Sequence, residues 1–151
     1  MKKLCQLSFC HRSTDFGLLL LRLWFGLTLF FNHGLGKLEH FSQMKMVFPD
    51  PLHLGSEVSL ILAIIAEVLC AALVTVGFAT RLAALILVIH FTVAFVRVHH
   101  HVLAMGPGSG ELPFLYLGAA LAIMFAGGGR FVVCKHTNVV EAAPAAPASA
   151  A

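Results

Sequence analysis

Charge is too scarce in this chain to cover a water-facing surface. From Val58 to Thr80 the sequence runs 23 residues with one charged side chain, Glu67. A helix needs ~20 apolar residues to cross the hydrocarbon core of a bilayer. Across the whole chain only 11% of residues are charged and 59% are hydrophobic. A soluble domain carries about 25% charged residues. A surface made from the Leu, Ala, Phe and Val left over would aggregate in water, so lipid is the solvent that suits this chain.

The 151 residues allow one domain. The expected fold is all-α, an integral membrane bundle of four transmembrane helices. The spans are expected at about 16–33, 57–76, 81–98 and 111–125. Thr14 or Asp15 is a candidate cap for the first, and Gly34, Leu35 and Gly36 are expected to loosen its far end. Residues 37–48 read as a short interfacial helix, and Phe48-Pro49-Asp50-Pro51 must be extended or turned. Gly77 is a natural C-cap and Thr80 an N-cap, so the second and third spans should form a tight hairpin. Residues 1–14 read as a cytoplasmic segment without a cleaved signal peptide. Residues 15–133 read as the membrane domain, and the Ala/Pro-rich 134–151 as a disordered tail.

The net charge of +3 is too small and scattered for nucleic-acid binding. It is better read as topology. Lys2, Lys3, Arg12, Arg81, Arg130 and Lys135 fall on one side, which the positive-inside rule makes cytoplasmic, so both termini are expected there. Cys5, Cys10, Cys70 and Cys134 show neither a CxxC nor a disulfide framework. P-loop, dinucleotide-binding, HExxH and G-x-S-x-G motifs are absent.

Ionisable residues inside a span cost ~2.5–3.5 kcal/mol each on insertion scales, which makes them functional candidates. Arg22, Glu67 and His90 are expected to meet near mid-membrane as a buried polar centre. An Arg22–Glu67 pair could be a structural tie between spans or part of a proton relay or ligand site. An outer polar mouth would hold His33, Lys37, Arg97, His99 and Glu111, with Asn32, His53, His100 and His101 nearby. His33, with His99 or His100, would be the ligands of any metal or haem there, although consecutive histidines point about 100° apart on a regular helix.

The stretch LLLLRLWFGLTLFFNHGLGKL, with Arg22 and His33 to Lys37, resembles the opening of a DoxX family protein. So do PDPLHLGSEVSLILAIIAEVLCAALVTVGFATRLAAL, with Glu67, Gly77, Thr80 and Arg81, and the late GELPFLYLGAALAIMFAGGGRF. The resemblance covers about residues 15 to 133. It departs from the family pattern at GGGRFVVC and at His99-His100-His101. It implies a four-helix protein of the bacterial inner membrane, an accessory or non-catalytic subunit of a redox or oxidative-stress system. Its relatives include a small subunit of a thiosulfate:quinone oxidoreductase and membrane partners of thiol-redox proteins. The cofactor is left open, with a quinone as the first candidate and haem the second, and redox proteins are the implied partners. A small-molecule or ion carrier working as a homo-oligomer and a structural scaffold are the rival expectations.

Overall fold

A computed structural model describes residues 13–103, 106 and 108–133, whose regular structure is helical with no strand among them. The expected N-terminal segment and tail, with Cys5, Cys10, Cys134, Lys2, Lys3, Arg12 and Lys135, lie outside the described residues except for its last two positions, Ser13 and Thr14. Helix α1 spans Thr14–Glu39, and α2 is one turn, Phe41–Met44. Helices α3 and α4 span Ser56–Val76 and Thr80–Val98. Helix α5 spans Glu111–Ala126. The first, third and fourth are long and apolar enough to cross a membrane. At 16 residues, α5 is shorter, about 24 Å at 1.5 Å per residue.

The four long helices form a closed ring in chain order, with α5 packed against both α4 and α1. Their shared core is Phe25 and Leu29 of α1, Ala66, Cys70, Ala71 and Val74 of α3, Ala83, Ala84, Leu87 and Phe91 of α4, and Ala120 and Ile123 of α5. Many of these residues are small. In lipid, helices associate through close packing rather than water exclusion, and small residues allow the backbones to approach. Gly26 and Gly34 do this between α1 and α3. A Cβ on Gly34 would lie 2.7 Å from the Glu67 carbonyl oxygen.

That close approach corrects an expectation. The helix does not loosen at Gly34 to Gly36. It continues to Glu39, because Gly34 serves contact with α3 rather than a helix end. The expected interfacial helix is accordingly divided. Its first residues belong to α1, the backbone turns at His40 (φ −98°, ψ 20°), and only α2 follows. Thr14 and Asp15 both lie within the helical segment rather than ahead of it as a cap, and the Asp15 carboxylate instead accepts from the Arg130 N–H.

The hairpin turn forms as expected. Gly77 adopts φ 80° and the Phe78 N–H returns to the Leu73 carbonyl, the wrapped C-terminus that glycine favours. Thr80 is the first helical residue, and Ala79, at φ 46°, occupies the cap position.

Each of α1, α3 and α4 contains a π-helical turn, at Phe30–Gly34, Ile65–Cys70 and Ala94–Val98. Such turns are rare and concentrate at functional sites.

Arg22 is fully buried at the end of the bundle that holds the hairpin turn. Its Nη1 donates to the Val74 carbonyl at 3.4 Å and its Nη2 to the Phe131 carbonyl. It therefore ties α1 to α3 and to the chain after α5. The expected Arg22–Glu67 pair does not form. Gly34 is the residue of α1 level with Glu67, and Arg22 precedes it by twelve positions, about 18 Å along the helix. A helical side chain also leans toward its own N-terminus, which carries Arg22 further away.

Arg22→Ala should lower stability by about 2–4 kcal/mol, from lost charged hydrogen bonds and a cavity. Its effect should add to that of Glu67→Ala within about 0.5 kcal/mol, because the two residues share no partner. Unfolding of the single and double variants in detergent checks both statements.

Candidate functional site

Glu67 is the centre of the polar cluster. It lies in the π turn of α3 and is buried. One carboxylate oxygen receives the Lys37 ammonium from the last turns of α1. The other accepts a hydrogen bond from His90 Nε2 of α4 at 3.0 Å. Three helices thus meet on one carboxylate. Lys37 lies three residues beyond Gly34, and its side chain leans back toward the N-terminus of α1, down onto Glu67. Glu67 leans toward the N-terminus of the antiparallel α3, up toward Lys37. The Lys37 Nζ also donates to the His33 carbonyl at 3.4 Å.

The cluster forms the floor of a cavity of about 540 Å³. Ligand pockets commonly have volumes of 300–1,000 Å³, apolar walls and a few convergent polar groups. Here His33, Lys37, Glu67 and His90 are the polar groups, and Ala63, Ala66, Phe91 and Ala94 are among the apolar ones. Tyr116 of α5 adds a flat wall. Its ring stacks on Phe91 with centroids 5.2 Å apart and 12° between planes, and it meets the His33 ring edge-on at 5.5 Å. Phe48, Pro49, Pro51 and Leu52 form a roof on the side away from the hairpin turn.

Asp50 holds that roof in place. Its carboxylate accepts from the Leu54 N–H at 3.0 Å, the Gly55 N–H at 2.8 Å and the Ser59 hydroxyl at 2.8 Å. Partial burial pushes its pKa up, but these hydrogen bonds and the nearby His53 outweigh it, and the carboxyl titrates below its ordinary value.

Among the residues expected at a buried centre, Glu67 and His90 touch and Arg22 lies elsewhere. Among those expected at an outer mouth, His33, Lys37 and His99 line the cavity, while Arg97 and Glu111 are exposed and do not. Lys37 belongs to the floor as the ionic partner of Glu67. His99 is held by a hydrogen bond from its Nδ1–H to the Gly108 carbonyl at 2.9 Å. His100 and His101 lie in the left-handed region, and the His101 ring sits on Phe95. Among the described residues no three His, Cys, Asp or Glu side chains are grouped to hold a metal. The expected ligands His33, His99 and His100 therefore form no such group. Tyr116 is the residue that the sequence reading missed. Its signal was its being the single tyrosine of the chain, placed in an otherwise apolar helix.

A family model described as DoxX matches residues 17–100, more than half of the chain. The chain belongs to the DoxX family. No curated protein and no solved structure matches it. The matched region of this DoxX protein contains Lys37, Glu67 and His90 and ends before Tyr116.

Lys37→Ala should cost about 3–5 kcal/mol, since it leaves a buried carboxylate without its cation. Combining it with Glu67→Ala should recover at least about 1 kcal/mol, and a double-mutant cycle measures that coupling. The roof has a pH dependence of its own. Because the Asp50 pKa is lowered by folding, its contribution is complete above the ordinary carboxyl range and is lost as pH falls through the lower folded value. Hydrogen exchange at the Leu54 and Gly55 amides should quicken over that acid interval, and Asp50→Ala should quicken it at neutral pH.

Proposed function

We propose that this DoxX protein is an accessory subunit of a redox system in the bacterial inner membrane and that its cavity binds a quinone. The observation that carries the reading is the cavity floor, where Lys37, Glu67 and His90 meet beneath apolar and aromatic walls. A quinone ring is flat and apolar with carbonyl oxygens at its ends. The ring suits the Tyr116 and Phe91 wall. The oxygens suit N–H donors such as Lys37 and His90. Reduction of a quinone takes up two electrons and two protons. Partner redox proteins would provide the electrons, and the floor would pass the protons. His90, hydrogen-bonded to the Glu67 carboxylate, is the side chain placed to pass a proton.

In this reading all four long helices span the bilayer. The short α5 would be accommodated by local thinning, at a modest cost per ångström of mismatch. Arg81 lies beside the hairpin turn and Arg130 follows α5 at the same end. Together with Lys2, Lys3, Arg12 and Lys135 they favour a cytoplasmic location for that end and for both termini. The cavity would then lie in the outer half of the bilayer.

Organic extraction and a UV–visible spectrum of the detergent-purified protein test the proposal. Near-stoichiometric quinone is expected in the wild type, falling at least tenfold in Glu67→Gln and remaining within about twofold in Arg22→Lys. A spectrum without a haem or quinone band, and an extract without quinone, would move support to a homo-oligomeric carrier or a scaffold.

A further inference from the structure

The two helices that enclose the cavity on one side are not parallel neighbours along their whole length. Toward the hairpin turn, α3 packs on α4 through Ile65–Cys70 and Ala71–Val76. Its other half, Ser56–Ile64, packs mainly on Leu35–Glu39 and α2 instead. The pair is therefore closed at the turn and splayed toward the roof. The cavity lies in this opening, and Leu62 and Ile65 of α3 and Ile86 and Ile89 of α4 line it. These four side chains also face outward. Ile65 is 42% exposed and Ile89 58% exposed, although both line the cavity. Each pair is spaced i, i+3, so each forms a short apolar edge along its helix.

We propose that this splay is a lateral slot, that the bound molecule enters through it from the bilayer, and that an apolar tail on that molecule stays in it. The inference rests on the ligand-pocket reading above and deepens it, because it names a lipid-soluble molecule with a polar head and one flexible hydrocarbon chain. The four edge residues offer no hydrogen bond, so a strongly hydrated solute would lose its water there without compensation. A hydrocarbon chain loses nothing on the same path. The polar groups lie at the floor, with Lys37, Glu67 and His90, and away from the slot at Ser109 and His99, which also line the cavity. A tail-less head can therefore still arrive from the roof side, whereas a long tail needs the slot. At about 540 Å³, the cavity holds a ring and the first carbons of a chain. The remainder must lie between α3 and α4 or in the lipid beyond them.

The test compares two probes in nanodiscs of fixed lipid composition, a long-chain benzoquinone and the same ring with a methyl group in place of the chain. Leu62→Trp and Ile89→Trp narrow the slot without touching the floor, and thermal unfolding establishes that each variant is folded. Should either tryptophan fail to fold, Ile86→Phe takes its place. The expected result is at least tenfold weaker binding of the long-chain probe, with the tail-less probe within threefold of wild type. Unchanged binding of both probes would overturn the slot while leaving the pocket intact, and would indicate that bilayer acyl chains fill the opening. An equal loss of both probes would overturn it as well, since the substitutions would then close the cavity rather than a tail path. Failure of the wild type to bind either probe would overturn the pocket reading and the slot together.

Discussion

Everything on the open side of this bundle depends on one carboxylate. Glu67 is buried among apolar side chains, where an isolated charge would be untenable. It is tolerated because Lys37 arrives from α1 and His90 from α4. The approach of Lys37 depends on the local backbone. Gly34 lets α1 approach until a methyl group would collide with the Glu67 carbonyl, and that approach sets the height of Lys37. The π turn of α3 includes Glu67 itself, and the π turn of α1 ends at Gly34. The backbone irregularities of these two helices therefore fall at their point of contact.

The opposite end is built on a different principle. Arg22 has no carboxylate partner among the described residues, and its guanidinium is bonded to two main-chain carbonyls. The Val74 carbonyl lies in the last turn of α3, where partial negative charge accumulates and a cation is favoured. Phe131 lies shortly beyond α5. One long side chain thereby holds three segments together around the hairpin turn.

The bundle was legible in the sequence because it follows from solvent. Long uncharged runs, the Gly77 turn and the absence of surface charge point to helices in lipid whatever the tertiary detail. The pairing of the ionisable residues was not legible, for two reasons. Estimating depth by counting from each span's start assumes that all helices begin at one level, yet α1 begins well below the end of α3. Counting also ignores the direction in which side chains lean. Arg22 leans away from Glu67, and Lys37 leans onto it from further along the same helix. Gly34 carried the necessary information, but a glycine near an apparent helix end reads as a terminator. Its role in contact appears only when the partner backbone is in view. Tyr116 escaped notice because one aromatic residue in an apolar helix looks like packing.

The charge balance of the floor limits what chemistry it can support. Lys37 and Glu67 together are neutral, so the cavity can hold a neutral ring without burying an uncompensated charge. A ligand that carries its own carboxylate would compete with Glu67 for Lys37 and strand one of the two anions. A cationic ligand would displace Lys37 at a similar cost. Proton transfer to a neutral ligand is different, because the His90 ring, hydrogen-bonded to Glu67, has nitrogens that can donate or accept a proton. The floor is therefore suited to neutral molecules that take up or release protons.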